Sequence, residues 1–193
     1  AIPTETVYGL GANGLDERAV AKIFEAKGRP QHHPLILHIC GPEQIGDFCK
    51  DIPEKAYALA NAFWPGPLTM IFEKTDKVPF ETTGGLTTVA VRMPSHPLAQ
   101  KLIAYAGGYV AAPSANASGK PSPTVAKYVI EDMDGRIDMI IDGGEVGIGL
   151  ESTIIDMTVN PPQILRPGFI TENMLERVLG DVDVDKTILS NDS

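Results

Sequence analysis

Apolar positions recur at three- and four-residue spacing from Asp16 to Ala26, where Ala19, Val20, Ile23 and Phe24 share one face. The pattern predicts a helix with Asp16 as its N-cap. Pro34 to Ile39 is a short apolar run that reads as a buried strand. A second helix is predicted from Pro53 to Phe63, with proline in its first turn and Ala56, Leu59, Ala60 and Phe63 inward. Trp64-Pro65-Gly66-Pro67 ends it, and Leu68 to Phe72 follows as a strand. Thr87 to Arg92 is another strand, then Ser95 as a cap and a helix carrying Pro97 and reaching Ala106. Tyr109 to Ala112 is a strand entering the loop Pro113 to Pro123, and Thr124 to Met133 is helical. Met139 to Ile141, Thr153 to Met157 and Gln163 to Arg166 read as strands, and Thr171 to Leu179 as the last helix.

Helices interleaved with short strands predict an α/β sheet. Met157 and Gln163 stand too close for a helical crossover, so their strands should be antiparallel and the sheet mixed. Asp181 to Ser193 holds four aspartates, one lysine and no apolar stripe, and reads as an acidic, solvated tail or the start of a linker.

With 193 residues, the chain is most simply one domain, long enough to bury roughly 70% of its unfolded surface. Its 43% hydrophobic and 21% charged residues exclude a disordered or fibrous chain. No apolar run approaches the roughly 18 residues of a membrane span, so no membrane partner is expected. Sixteen basic residues against 25 acidic ones give −9, which argues against broad electrostatic capture of nucleic acid and leaves a local basic pocket open. Cys40 and Cys49 are too few for a disulfide scaffold and suit a reducing cytoplasmic setting.

Several motifs carry possible chemistry. Gly9-Leu10-Gly11-Ala12-Asn13-Gly14 is a literal G-x-G-x-x-G, but the helix begins only at Asp16 and no carboxylate ends the next strand. A flexible turn is the expectation there, and no tightly bound organic cofactor. Lys27-Gly28-Arg29 follows a helix C-terminus, where cations complement the dipole. The same pair would also make a phosphate clamp, a point charge beside a planar donor fork. Pro113 to Thr124 is rich in small hydroxyl and amide residues and follows a strand, as ligand loops in α/β sheets do; a surface loop ending in a helix cap has the same composition. His32, His33, His38 and His96 lack metal-ligand spacing, so no protein-held metal is expected. Neither cysteine has a recognisable activating partner. Arg92, ending the apolar strand Val89-Ala90-Val91, must emerge at the strand's edge or meet a buried anion. A ligand carboxylate or a structural Asp or Glu would each serve.

Together these segments resemble the threonylcarbamoyl-AMP synthase family with its YrdC-like domain. The matching words are Pro3-Thr4-Glu5-Thr6-Val7-Tyr8-Gly9-Leu10, Lys27-Gly28-Arg29-Pro30, Pro34-Leu35-Ile36-Leu37-His38 and Phe63-Trp64-Pro65-Gly66-Pro67-Leu68-Thr69. They continue with Thr88-Val89-Ala90-Val91-Arg92, Ala112-Pro113-Ser114-Ala115-Asn116, Glu151-Ser152-Thr153 and Leu165-Arg166-Pro167-Gly168. The resemblance implies an open twisted sheet of mixed parallel and antiparallel strands, flanked by helices around a deep electropositive cavity. It implies a nucleotidyltransferase that forms L-threonylcarbamoyladenylate and pyrophosphate from L-threonine, bicarbonate and Mg²⁺-bound ATP. The product would pass to the downstream tRNA threonylcarbamoyl transferase machinery for threonylcarbamoyladenosine synthesis. Carried over by motif, ATP is expected at Lys27, Arg29, His33, Thr88, Ser114, Asn116, Ser122 and Arg166, with Lys27 and Arg29 as catalytic cations. L-threonine is expected at Thr6, His38, Arg92, the Ala112 backbone and Ser152. His33 stands where many members have asparagine, which would make that contact pH-dependent.

The resemblance also implies that residues 1–180 form the catalytic domain of a longer two-domain member, lacking a strand before Pro3 and the linker and second domain after Asp181. Two other functions share these features: a double-stranded RNA-binding module, and a maturation domain handling carbamoyl-adenylate.

Overall fold

In the strand Thr88–Arg92, Val89 and Val91 are buried in the core, while Thr88, Ala90 and Arg92 turn to the opposite face and line a cavity. A pleated strand sends successive side chains to opposite faces, so this alternation builds a core and a site from one segment. The computed structural model describes residues 1–189. In chain order its elements are β1 (Ile2–Pro3), β2 (Tyr8–Gly9), α1 (Glu17–Lys27), β3 (Ile36–Ile39), a 3-10 turn (Pro42–Gln44), α2 (Ile45–Phe48), β4 (Cys49–Lys50), α3 (Glu54–Phe63), β5 (Leu68–Lys74) and α4 (Phe80–Thr83). They continue with β6 (Thr88–Arg92), α5 (Pro97–Tyr105), β7 (Tyr109–Ala111), α6 (Ala126–Met133), β8 (Thr153–Asp156), β9 (Gln163–Arg166), α7 (Glu172–Leu179), β10 (Asp183–Val184) and α8 (Lys186–Leu189).

The main sheet runs β10-β9-β8-β5-β6-β3-β7, with β4 paired to β5, and β1 and β2 form a separate antiparallel ribbon. Parallel pairs (β9 with β10, β5 with β8, β3 with β6) interleave with antiparallel ones (β8 with β9, β5 with β6, β3 with β7). The mixed α/β sheet predicted from the sequence is therefore present, including the antiparallel β8–β9 pair. One core joins Leu59 and Ala60 of α3 and Leu175 of α7 to Leu37, Met70, Phe72, Val89, Val91 and Ile155 of the strands. A second joins Val20, Ile23 and Phe24 of α1 to Val129 and Met133 of α6, around Tyr8, Leu35 and Ala111. Asp16 caps α1 as predicted, accepting from the N–H groups of Arg18 and Ala19.

Four local expectations are corrected. The cap of α5 is His96, whose Nδ1 accepts from the Leu98 N–H, because the helix begins at Pro97 and Ser95 stands one residue too early; Ser95 and His96 both give their own N–H to the Glu5 carboxylate. Met139 to Ile141 is no strand: it exchanges two hydrogen bonds with Ala1 and pairs with no strand among the described residues. The segment after Asp181 is not simply a solvated tail. Val182 is buried in the core and Asp183–Val184 pairs parallel to Gln163–Ile164; residues 190–193 of the expected tail lie outside the described residues. The glycine motif at 9–14 is not a loose turn either. Ala12 exchanges two backbone hydrogen bonds with Ala111, and a Cβ on Gly14 would lie 2.7 Å from Leu37 Cδ1. Glycine is there for close packing against β3 and β7.

Candidate functional site

The cavity-facing residues of the sheet form a floor. Ile36 and His38 come from β3, Ile71 from β5, Thr88, Ala90 and Arg92 from β6, and Ile154 of β8 follows Ser152. The β1–β2 turn makes one wall. Thr4 Oγ1 accepts from the Thr6 and Val7 N–H groups and donates to Val7 O at 2.6 Å, which folds Thr4 and Thr6 toward the floor. Ala112 to Ser114, Arg29 and Pro34, and Glu151 with Arg166 complete a cavity of about 290 Å³.

At one end stands Arg92, buried to 4% exposure. Its Nη1 donates to Thr6 Oγ1 at 2.9 Å, Nη2 to Glu5 Oε1, and Nε to Gly66 O. Of five guanidinium N–H groups, these contacts leave two for a ligand. Burial alone would raise the Glu5 pKa, but the Arg92 charge and hydrogen bonds from N–H groups hold the carboxylate below its ordinary range. His38 is packed beside Arg92, and burial, then the Arg92 charge, push its pKa down to about 3, so the ring is neutral. Its Nδ1 lies 3.0 Å from Ile36 O. A carbonyl only accepts, so Nδ1 carries the proton and Nε2 carries a lone pair. Ser152, 1% exposed, shares a 2.7 Å hydrogen bond with Thr69 Oγ1.

The other end is cationic. Arg29 lies just past the α1 C-terminus, where Gly28 ends the helix in a left-handed conformation. Its Nε donates to His33 Nδ1 at 3.3 Å. His33 is exposed at the rim; partial desolvation, then the Arg29 and His32 charges, lower its pKa. Arg166 donates from Nε and Nη2 to Ser152 O at 3.0 and 2.9 Å and from Nη1 to Glu151 Oε2 at 2.6 Å. Lys27 is buried beneath the loop after β7: Nζ donates to Ser114 O and to Asn116 O, the latter at 2.7 Å. Burial, then the Arg29 charge, bring its pKa down to about 8. Asn116 donates to Ala117 O and Lys120 O, which closes the loop on itself, and its buried Oδ1 has no partner among the described residues. Ser122 donates to Glu151 Oε1 at 2.8 Å.

Thr6, Arg29, His38, Thr88, Arg92, Ala112, Ser114, Ser152 and Arg166, all predicted from sequence, thus line one cavity. Lys27 and Asn116 support its loop from behind, Ser122 braces Glu151, and His33 braces Arg29. Sequence reasoning left Glu5 and Glu151 without a role. Both stand inside quoted motifs next to Thr6 and Ser152, the only signal that marked them. Cys40 and Cys49 are not among the lining residues, and burial pushes the Cys49 thiol up to about 12, leaving it inert. Among the described residues no three His, Cys, Asp or Glu side chains gather as a metal site, and no helix is long and apolar enough to cross a membrane.

Comparison with known proteins gives the family of the chain. The Sua5/YciO/YrdC family model, described as telomere recombination, matches residues 1–168. The threonylcarbamoyl-AMP synthase of Pyrococcus abyssi is 57% identical over 188 residues, covering 97% of this chain and 55% of the relative. That of Bacillus subtilis is 54% identical over 187 residues, covering 96% and 54%. A crystal structure of P. abyssi Sua5 complexed with L-threonine superposes with a TM-score of 0.95 at 57% identity, covering 97% of this chain and 55% of that one. The chain spans about half the length of these relatives.

Proposed function

The chain belongs to the Sua5/YciO/YrdC family, and from that premise we propose that it is the catalytic part of an L-threonylcarbamoyladenylate synthase. The observation that carries this reading is one cavity with two chemically different ends on a single sheet face. One end offers a guanidinium with spare donors, a neutral imidazole and hydroxyls, which suits a small hydroxy amino acid. The other offers Arg29 and Arg166 beside the Ser114 backbone, over the buried Lys27, which suits phosphates.

In this reading threonine places its carboxylate on the two remaining N–H groups of Arg92, beside Thr6. His38 Nε2, a lone pair at every physiological pH, accepts from the threonine hydroxyl or amine. Ser152 supplies a further hydroxyl at the boundary between the ends. The neutral amine attacks bicarbonate carbon, a C–N bond forms and water leaves, giving a carbamate. A carbamate oxygen then attacks the α-phosphorus in line, and the bond to the β-phosphate oxygen breaks to release pyrophosphate. The chain's residues position the two anions and stabilise charge on the phosphates. Arg29 and Arg166 contact phosphate oxygens, Lys27 holds the loop that presents Ser114, and Thr88 lines the cavity at the end of β6 opposite Arg92. Mg²⁺ would arrive with ATP and shield the leaving pyrophosphate, a role that needs no all-protein cage. The adenylate would feed threonylcarbamoyladenosine synthesis on tRNA.

The test is pyrophosphate release with threonine, bicarbonate and ATP each omitted in turn. The expected result is release only when all three are present. Release that does not depend on threonine would remove the amino-acid half of the proposal.

A further inference from the structure

Glu151 is the carboxylate among the cationic groups of the cavity, and its two oxygens have separate partners. Oε1 accepts from Ser122 Oγ at 2.8 Å and Oε2 from Arg166 Nη1 at 2.6 Å. Both donors belong to the set assigned above to ATP, so the carboxylate occupies donors that a phosphate would need. Arg29 lines the same cavity; burial lowers the pKa of Arg29, Lys27 and Arg166, and the negative charge of Glu151 works against that fall at all three. The remaining hydrogen bonds of Arg166 run to Ser152, through Nε and Nη2. The guanidinium therefore stays oriented if the Nη1 donor changes partner. Glu151 itself is 39% exposed at the side chain, which gives the carboxylate room to swing toward solvent.

Resting on the nucleotide reading of this wall, we propose that Glu151 is an internal competitor for the phosphate groups, holding Arg166 and Ser122 ready while the site is empty and taking them back when pyrophosphate leaves. A carboxylate and a phosphate oxygen are interchangeable acceptors for an arginine N–H, so each phosphate entry exchanges one anion for another. Glu151 then faces the phosphates without its partners, and like charges a few ångströms apart repel. The cost falls on ATP and pyrophosphate alike. Binding shared equally by ground state and transition state does not accelerate the chemistry, whereas weaker product binding speeds release. The carboxylate thereby trades ground-state affinity for turnover.

The experiment is calorimetric titration of wild type, Glu151→Gln and Glu151→Asp with inorganic pyrophosphate, ATP, AMP and adenosine, first without divalent metal and then with Mg²⁺. Glu151→Gln keeps shape and removes charge. It is expected to bind pyrophosphate and ATP about 5- to 30-fold more tightly, AMP with a smaller gain and adenosine unchanged. Glu151→Asp, which keeps the charge, is expected to stay near wild type. Equal or weaker pyrophosphate binding by Glu151→Gln overturns the proposal, as does an equal gain for uncharged adenosine, which would mark a general change of shape. A loss confined to the Mg²⁺ titration also overturns it, by making Glu151 a metal ligand. If wild type binds threonine but neither ATP nor pyrophosphate, the nucleotide reading of the wall fails and the competitor role falls with it.

Discussion

At the scale of single residues, Arg92 and Lys27 do opposite things with buried charge. Arg92 keeps a permanent cation in the cavity floor by setting Glu5 beside it and still retains two donors. Lysine has three donors and no planar fork, so Arg92→Lys cannot serve Glu5, Thr6, Gly66 O and both oxygens of a ligand carboxylate together. Threonine half-saturation in the pyrophosphate-release assay is expected to rise about 10- to 150-fold, for a loss of about 1.4–3 kcal/mol, with ATP half-saturation nearly unchanged. Untouched threonine half-saturation would place the carboxylate elsewhere. Among the described residues Lys27 has no carboxylate within hydrogen-bonding contact; carbonyls hold it, and burial, then the Arg29 charge, bring its pKa to about 8 from 10.5. The folded state therefore binds fewer protons at Lys27 than the unfolded one between those values, so this residue adds stability as pH rises toward about 9, above which the Cys49 thiol, kept protonated by burial, works in the opposite direction. ATP affinity should move the other way, falling as the ammonium is lost above about pH 8. Denaturant titrations between about pH 8 and 9 and ATP titrations over the same range test both signs, and Lys27→Met should remove the Lys27 contribution to each. His38, already neutral, should leave threonine affinity flat over roughly pH 5 to 8.

At the scale of elements, the β8–β9 pair joins the two ends of the site. Arg166 leaves β9 to bind Ser152 at the start of β8, and Gly168 packs behind the same backbone. A Cβ on Gly168 would lie 2.6 Å from Thr153 N and 2.7 Å from Glu151 O, so only glycine fits without moving β8. Gly168→Ala is expected to cost about 1–3 kcal/mol in denaturant unfolding, as other overpacked sites do, and to weaken ATP binding by displacing Ser152 from Arg166. Wild-type stability in this variant would mean that the turn relaxes freely. The loop after β7 is held in the same way from outside its own element. Asp132 on α6 accepts from Ala117 N at 3.0 Å and from Lys120 Nζ at 2.6 Å, while Lys27 on α1 grips two carbonyls from the other side.

At the scale of the whole molecule, a chain of charge −9 keeps Arg29, Arg92 and Arg166 in one cavity and Glu5 and Glu151 among them. These three guanidinium groups gather in one cavity rather than along a face. A phosphate tail can reach them, but a duplex cannot lay successive phosphates along them. Fluorescence anisotropy with a double-stranded RNA is therefore expected to show no binding at roughly 0.15 M salt. Tight, steeply salt-dependent binding would instead point to an RNA-binding role.

The alternation of Thr88-Val89-Ala90-Val91-Arg92, the apolar face of residues 19–24 and the short gap before Gln163 were enough to predict strand, helix and antiparallel pair, because each signal repeats within a few residues. The same locality explains the errors. Ser95 is the better cap by residue type, but the helix begins at Pro97, which puts His96 at the capping position, and Glu5, 90 residues before Ser95 in the chain, ties down the backbone that enters it. Met139 to Ile141 has a strand's composition, but a strand also needs a partner edge. Lys27 and Arg29 read alike as clamp or dipole partner, and only the fold turns Lys27 inward to the Ser114–Asn116 carbonyls and leaves Arg29 in the cavity. Chemistry alone left open whether Arg92 meets a ligand or a protein carboxylate. The path of the chain brings Glu5 to it across 87 positions of sequence, and no local pattern encodes such a meeting, because the ion pair forms only once β6 and the β1–β2 turn are packed together.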